Sequence, residues 1–457
     1  MKKILSILMV LTMVFSLAAC GAKDTEPSGG GKTGNDKAGS DTTGKDTETS
    51  EPSGPAENKG KKLVVWTFTD EIEKMINEYY LRHNPDLGYE IEIVVIPNDQ
   101  YQQKLDPVLG SGKSAPDVFA LEAAFVKKYV NSDFTKDLKT LGIAPKADET
   151  LQYVLDTVTD ESGSLKGMSW QATPGAFFYR RSLAKKYLGV SEPEEVQGLL
   201  SDFDQFYEAA KTVNDKSGGE TKLVSSLGDL QNVFLASREN GWVVDNKFVI
   251  DPKAEELLEI GKKLESEGLT NQAEQWTESW FASMSNDQVM GYFLPTWGLH
   301  YVLKSNAVNA NTGESTSGDW GMIQGPSPYF WGGTWLTVRE GTKMEKAAVD
   351  LINYIALNKD FLTEYAKNSG DFLAHQSVVE SIKDSYSEEF LAGQNHYAKF
   401  AEMAPSIDAS ILTGSDLDIN NLFAEQLTAY SKGEKDKETA LADFKAGVQS
   451  AFPNLDY

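Results

Sequence analysis

The chain has 457 residues, of which 68 are Asp or Glu and 43 are Lys or Arg, so its formal net charge is -25. This length is sufficient for two sizeable lobes with large cores, and the negative charge would repel a phosphate backbone, which argues against nucleic-acid binding. The four histidines are scattered and no HExxH pattern occurs, so a catalytic zinc site has little support. We expect neither a metal nor a cofactor.

The first twenty residues are typical of a secretory leader. Lys2 and Lys3 precede an apolar stretch over residues 4–14, which is too short to remain as a membrane span. The leader ends in Leu-Ala-Ala-Cys, and Cys20 is the only cysteine in the chain, so no internal disulfide can form. This ending resembles the bacterial lipoprotein lipobox, which implies cleavage before Cys20 and its lipidation. The alternative is an ordinary secreted protein whose leader is removed without lipidation.

Residues 1–19 are therefore predicted to be a signal peptide, and residues 20–60 a lipidated tether. Almost no apolar side chain occurs between residues 21 and 59, which are rich in Gly, Ser, Thr, Asp, Glu, Lys and Pro. Such a segment buries too little surface to offset the entropy of ordering, so we expect it to be disordered. The body should lie at the extracellular face of the cell membrane, anchored through the lipid on Cys20.

Alternating strand and helix patterns are predicted beyond the tether. Apolar runs at residues 63–66, 91–96 and 117–121 indicate strands, and helix-spaced apolar residues at 72–80 and 101–109 separate them. This order implies a parallel sheet with right-handed crossovers. Ligands of such sheets lie beyond the carboxyl ends of the strands. Neither GxGxxG nor a P-loop sequence occurs there, so a nucleotide site is not expected.

Several stretches, taken in order, carry a resemblance to a known family. They are residues 63–68, 115–119, 167–183, 290–297 and 332–338. Together they are similar to the extracellular solute-binding proteins of carbohydrate ABC importers, the group that includes maltose-binding protein. The pair Arg180-Arg181 and the Pro295-Thr296 turn depart from the family pattern, which leaves the identity of the sugar open.

The resemblance implies an α/β fold of two lobes, the type II periplasmic-binding-protein-like fold, with a hinge and an interlobe cleft. The chain would cross between lobes near residues 172–174, 331–334 and 370–373. The first lobe would comprise residues 61–173 plus 332–372, and the second 174–331 plus 373–457. Apolar spacings predict that the second lobe is mostly helical, with helices around residues 257–264, 419–427 and 441–448.

A sugar requires flat apolar rings against its C–H faces, and charged acceptors or amides for its hydroxyls. A hydrogen bond to a charged partner contributes about 1.5–3 kcal/mol net, and a wrong ligand that leaves such a group unpaired loses a similar amount. Candidates should lie on segments that face the cleft. We predict as ligand-binding residues Phe68, Asp70, Glu122, Trp170, Phe177, Trp242, Trp280, Trp297, Trp331 and Asp371.

Several of these residues have purely structural alternatives. Glu122 suits the first turn of a helix, where the helix dipole favours a carboxylate. Trp276 and Trp280 are four residues apart and are interpreted as one helix face, with Trp280 the better candidate for the cleft. Phe177 and Phe178 alternate along a strand, so one should point inward and the other outward.

Two of the predicted indoles have a specific reason for their selection. Trp297 occupies the position of the Trp in the Gly-x-Trp turn of the family. Trp331 stands beside Gly332 and Gly333, which would let the backbone approach a ligand closely.

The resemblance implies a receptor that captures a carbohydrate, with an oligosaccharide preferred, and delivers it unchanged to the permease subunits of an ABC importer. We expect a monomer that breaks no bond. One alternative is a secreted carbohydrate-active hydrolase, which needs two carboxylates about 5 or 6.5–9.5 Å apart. The sequence lacks the eight strand–helix units of a barrel hydrolase, and it contains no GxSxG nucleophile elbow. With 68 Asp and Glu residues, however, the sequence does not exclude a catalytic carboxylate pair. The other is a solute-binding protein for a ligand such as a peptide.

Overall fold

The computed structural model of the protein describes residues 61–146 and 149–457. The predicted signal peptide and tether, including Cys20, lie outside these residues. In the described part, no helix combines the length and the apolar character that a membrane crossing requires. The strands are β1 (Lys62–Thr67), β2 (Glu90–Val95), β3 (Val118–Glu122), β4 (Gly175–Arg180), β5 (Val243–Val244), β6 (Lys247–Phe248), β7 (Gly291–Pro295), β8 (Trp320–Ile323) and β9 (Thr334–Val338).

Helices account for most of the remaining regular structure. They are α1 (Asp70–Lys74), α2 (Leu81–His83), α3 (Asn98–Ser111), α4 (Val126–Val130), α5 (Gln152–Val158), α6 (Arg181–Tyr187), α7 (Pro193–Leu199), α8 (Phe203–Ser217), α9 (Gly228–Ala236), α10 (Pro252–Ser266), α11 (Glu278–Ser283), α12 (Glu345–Leu357), α13 (Lys359–Ser369), α14 (Gln376–Ile382), α15 (His396–Met403), α16 (Asp416–Ser431) and α17 (Lys437–Ala451). Two π-helical segments occur at Met75–Tyr80 and Gly298–Leu303. Short 3₁₀ turns occur at Leu138–Leu141, Lys304–Asn306, Lys383–Ser385, Glu389–Leu391 and Ala404–Ser406.

The first sheet has the strand order β2-β1-β3-β9. β1 pairs in parallel with both β2 and β3, so the predicted strand–helix–strand–helix–strand unit is confirmed. β9 joins antiparallel to β3 and places Thr334 opposite Glu122. Because β9 runs the other way, the residues that precede it lie at the same sheet edge as those that follow β1 and β3. That edge is where the topology predicts a ligand.

The second sheet is antiparallel with the order β7-β4-β8. Phe177 and Phe178, on the central strand β4, are both fully buried, so the prediction that one of them points outward was wrong. Both faces of this sheet are covered. Phe177 packs against Phe206 and Phe293, while Phe178 belongs to the core cluster that contains the first sheet.

The predicted helices of the second half are confirmed as α10, α16 and α17. Leu258 of α10, Phe423 of α16 and Phe444 of α17 are buried in one core with Trp242. The rings of Phe423 and Phe444 lie 5.3 Å apart at 68°, an edge-to-face contact that favours this packing.

The three predicted crossing segments lie side by side. The backbone N–H of Trp331 donates to the carbonyl of Thr173 at 3.1 Å, and that of Ala172 donates to Phe372 at 2.9 Å. The Thr173 hydroxyl donates to the carbonyl of Gly332 at 2.8 Å. Hydrogen bonds thus join the three segments, while the lobe boundaries drawn through them stay a prediction.

Candidate functional site

A cavity of about 740 Å³ opens between the ends of the two sheets. Ligand pockets typically have volumes of about 300–1,000 Å³, so the space is large enough for a small organic solute. Its first wall comes from the residues after β1 and β3 and those just before β9. Its second wall comes from α9, the loop before α11, the segment after β7 and the start of α16. The lining residues extend along the chain from Phe68 to Asn421.

Burial raises the pKa of two carboxylates in the first wall. Glu71 accepts hydrogen bonds from the hydroxyls of Tyr301 at 3.3 Å and Tyr365 at 3.2 Å. Burial raises the pKa of Glu71, and these two bonds oppose the rise. Glu122 accepts the backbone N–H of Ala124 at 2.7 Å, and burial raises its pKa to about 7. Both side chains line the cavity, where they can accept hydrogen bonds from a ligand.

Phe68 and Asp70 also line the first wall, as predicted from their place after β1. The ring of Phe68 packs edge-on against Tyr101 and Phe125, at centroid distances of 5.5 and 6.2 Å, so its orientation is fixed. Asp70 is exposed and forms an ion pair with Lys74 at 3.1 Å. Its carboxylate therefore already has a partner within its own helix.

The indoles of Trp297 and Trp331, both predicted, line the cavity and contact each other. The Trp297 Nε1–H donates to the carbonyl of Trp331 at 3.0 Å, and the two rings lie 5.5 Å apart at 65°. A Cβ on Gly332, whose φ is +71°, would lie 2.9 Å from Trp297 Nε1. Gly332 therefore makes room for an indole of the protein, where the sequence suggested close approach to a ligand.

Trp276 is the exposed ring of this cluster. It is 51% exposed, and its ring stacks on Trp297 at 6.2 Å and 14° and meets Trp331 at 5.9 Å and 69°. The expectation that Trp280 rather than Trp276 reaches the cleft was wrong. The helix α11 begins only after Thr277, whose hydroxyl caps it by accepting the N–H of Trp280. A Thr-Glu pair directly after Trp276 is an N-cap signal that could have placed this Trp outside the helix.

Five predicted residues do not line the cavity. All are buried with an exposed fraction of 3% or less, and they are Trp170, Phe177, Trp242, Trp280 and Asp371. The indole N–H of Trp170 donates to Asp371 of the third crossing segment at 3.2 Å, so these two residues pair with each other. Burial raises the pKa of Asp371 well above its ordinary value. Phe177 is buried because both faces of its sheet are covered.

Trp242 and Trp280 are structural for a similar reason. Helices α16 and α17 pack over the turn that carries Trp242, whose ring lies 5.4 Å from Phe423 and whose Nε1–H donates to Asn420 at 2.7 Å. Trp280 lies beneath Trp276 and meets Tyr292 edge-on at 5.8 Å. Each of these indoles is satisfied within the protein.

A buried ion pair on the second wall was not predicted. Arg238 and Asp416 approach to 3.7 Å, with side chains that are 2% and 9% exposed, and both residues line the cavity. Arg238 also donates to the carbonyl of Leu235 at 2.8 Å and lies 4.5 Å above the ring of Trp242. Burial lowers the pKa of Arg238 and raises that of Asp416. The partners are far apart in sequence, so the pairing left no local signal.

The other cations of the lining are already bound to protein groups. Lys127 donates to the carbonyls of Asp156 at 2.5 Å and Thr159 at 2.8 Å. Lys128 forms an ion pair with Asp106 at 2.8 Å. With the guanidinium of the second wall also paired, each cation of the lining has a protein partner, whereas Glu71 and Glu122 have hydrogen-bond donors but no ion-pair partner among the described contacts.

Solved structures with the same fold cover most of the chain. An extracellular solute-binding protein of family 1 superposes with a TM-score of 0.75 and 19% identity, covering 85% of this chain and 99% of that one. A binding protein of an ABC transporter from B. animalis subsp. lactis Bl-04, in complex with beta-1,6-galactobiose, gives 0.66 and 19%, covering 85% and 97%. The sugar-binding protein MalE from Xanthomonas citri gives 0.67 and 15%, covering 85% and 97%. No curated protein sequence matches this chain significantly.

The sequence itself matches a family model. Residues 74–390 align with the model described as bacterial extracellular solute-binding protein. That range is more than half of the chain, and the two-lobe α/β fold of the similar structures agrees with it. The predicted resemblance and the two-lobe α/β fold are confirmed, while the hinge stays a prediction. This chain belongs to the bacterial extracellular solute-binding proteins.

Proposed function

We propose that this protein captures a carbohydrate, specifically an oligosaccharide, in the cavity and delivers it unchanged to the permease subunits of an ABC importer. The observation that carries the proposal is that the indole cluster of Trp276, Trp297 and Trp331 lines the same cavity as the carboxylates of Glu71 and Glu122. Indole faces suit the C–H faces of a sugar, and carboxylates accept its hydroxyls. Similar proteins bind galactobiose and lacto-N-biose, which supports this ligand class.

The ligand we propose is uncharged. Each cation that lines the cavity is bound to a protein group, while the first wall holds carboxylates without a cationic partner among the described contacts. An anionic sugar would place like charges together in a poorly solvated space, which costs free energy. Neutral hydroxyls would instead donate to the same carboxylates.

A panel of sugars tests the ligand class. The purified protein is mixed with maltose, maltotriose, β-1,6-galactobiose and lacto-N-biose, and a ligand that binds only the folded state raises the melting temperature. We expect a rise with at least one of them, and a smaller rise at the same sugar concentration in Trp276→Ala. Tyr457→Ala is the matched control, because Tyr457 is 47% exposed and does not line the cavity. If glycans give no rise and a peptide library does, the carbohydrate proposal is wrong.

Capture should proceed by hinge closure. The hydroxyl of Tyr301, which follows β7, donates to Glu71, which follows β1, so the two walls already meet at one point. A sugar that contacts both walls would shift the population toward the closed form, with bending in the three adjacent crossing segments. Small-angle scattering with and without the sugar should show compaction. An identical radius of gyration at saturation would contradict closure.

The protein should leave the glycosidic bond intact. A carboxylic acid with a pKa near 7, such as Glu122, is also what a glycosidase uses to protonate a leaving group, so the hydrolase alternative has one specific feature in its favour. Chromatography after prolonged incubation with the bound oligosaccharide decides between the two. We expect only starting material, and shortened products would establish the enzyme.

We further propose that the mature protein is a monomer anchored by a lipid on Cys20. The supporting observation is the lipobox-like ending of the leader and the single cysteine. In cells, Cys20→Ala should move the protein from the membrane fraction to the medium. Equal membrane association of both forms would contradict the anchor, and a dimer mass in light scattering would contradict the monomer.

A further inference from the structure

Asp229 is a buried carboxylate that lies outside the cavity, at the start of α9. It is 2% exposed and does not belong to the lining residues. One of its oxygens, Oδ2, accepts the backbone N–H groups of Ser225 at 3.1 Å and Ser226 at 3.0 Å. The other, Oδ1, accepts the side chains of Gln275 at 3.0 Å and Trp280 at 3.3 Å. One carboxylate therefore connects two segments that are distant in sequence.

The two side chains bound by Oδ1 stand on either side of Trp276 in the chain. Gln275 is its immediate neighbour, and Trp280 is four residues further on and packs under its ring at 5.6 Å. The same loop is held at its earlier end, because the Ser225 hydroxyl donates to the carbonyl of Ala273 at 2.7 Å. The segment before α9 thus fixes the loop before and after the exposed indole.

The conformation of Trp276 requires such support. Its φ of +68° lies in the left-handed region, which is unfavourable for a residue with a side chain. Strain of this kind persists only where the surrounding structure over-determines the backbone. An unconstrained loop would relax to an ordinary φ and carry the indole away from its stack on Trp297.

We propose that Asp229 is a positioning residue that holds the indole of Trp276 in the cavity, and so sets the affinity for the ligand without touching it. Only the effect on ligand affinity rests on the proposed function, because the position of the Trp276 ring can be measured without a ligand. A carboxylate is required, because Asn offers one oxygen acceptor and would direct its NH₂ group at N–H donors on the other side.

The first test needs no ligand. The contribution of Trp276 to fluorescence is obtained as the difference between each protein and its Trp276→Phe counterpart, and its accessibility is measured by acrylamide quenching. We expect Asp229→Asn to raise the quenching constant of Trp276 at least twofold. The matched control is Asp117→Asn, which alters a buried carboxylate that accepts the N–H of Val64 at 3.0 Å, away from the cavity. It should leave this signal unchanged.

A second variant keeps the test decisive if Asp229→Asn does not fold. Gln275→Leu removes one of the two bonds to Oδ1 and leaves the carboxylate in place, and it should raise quenching in the same direction by a smaller factor. If neither folded variant changes the quenching of Trp276, the positioning role is wrong.

The ligand test is a double-mutant cycle with the tightest-binding sugar of the panel. Asp229→Asn alone should weaken binding about tenfold, whereas in the Trp276→Ala background it should add less than twofold. Full additivity would show that Asp229 acts on general stability and not through Trp276. If no sugar binds, the proposed function is wrong, but the quenching measurement still tests whether Asp229 positions Trp276.

Discussion

The two walls of the cavity are built on different principles. In the first wall, Phe68 and Glu71 follow β1 and Glu122 ends β3, so the parallel pairing of these strands brings the three residues to one edge of the sheet. In the second wall, Trp276 and Arg238 lie on loop and helix ends that only tertiary contacts orient. The end of a strand therefore fixes the position of a side chain by itself, whereas a loop does so only through the contacts that hold the loop.

The largest expected effect is the loss of stability on removing Trp242, which was predicted to face the cleft and is buried in the core. Trp242→Ala removes a buried indole from its contacts with Phe423 and Phe444, and such truncations cost about 3–5 kcal/mol of unfolding free energy. Chemical denaturation measures this loss. The folded fraction should bind sugar normally, so a weakened affinity with unchanged stability would return Trp242 to the site.

Charge discrimination should be the next largest effect, and it tests the first wall. A neutral disaccharide and its uronate analogue, in which a terminal CH₂OH is oxidised to a carboxylate, are compared by calorimetry. The analogue should bind at least thirtyfold more weakly, about 2 kcal/mol, because it meets Glu71 and Glu122, which have no ion-pair partner among the residues that the structure describes. Equal affinities would mean that a cation of the lining leaves its protein partner to bind the ligand.

Trp297→Ala should weaken sugar binding at least tenfold, about 1.4 kcal/mol, with little change in fold. The indole of Trp297 stacks on that of Trp276 at 6.2 Å and lines the cavity. Titration calorimetry measures the change, and Trp297→Phe serves as the matched control that keeps a flat ring. An unchanged affinity in the alanine variant would remove Trp297 from the site.

Glu122→Gln should have the smallest effect, about fivefold in affinity, because a charged acceptor is replaced by a neutral one at a difference of about 1 kcal/mol. Since the pKa of Glu122 is about 7, wild-type affinity should fall by that factor as the pH decreases through 7, and the variant should show no such step. A step of equal size in both proteins would assign it to another group.

The free energy of unfolding should decrease as the pH rises, whereas the affinity for the sugar should increase. The unfolded chain has a Glu pKa near 4.3, so between that pH and about 7 the folded state binds more protons than the unfolded state. The contribution of Glu122 to stability therefore decreases as the pH rises through this window. Glu122→Gln should flatten that part of the curve in thermal melts.

Sequence reasoning could recover the first sheet and its edge, because period-two and helix-spaced apolar residues are local signals. The family resemblance also singled out Trp297 and residues 332–338, which contain β9, and the adjacent glycines singled out Trp331. Both indoles line the cavity. Sequence reasoning failed for Trp170 and Trp242, since no local pattern shows that Asp371 pairs with the first indole or that α16 and α17 cover the second. The pairing of Arg238 with Asp416 depends on how α9 and α16 pack, which no local pattern encodes.

The cavity draws on residues from Phe68 to Asn421, which spans almost the entire body of the protein. The site therefore cannot assemble until residues in the last third of the chain, such as Asn421, have been synthesised and have docked. Contacts between such distant residues close late and slowly in folding. A truncated or misassembled copy would therefore lack part of the cavity lining and would not compete with complete copies for the ligand.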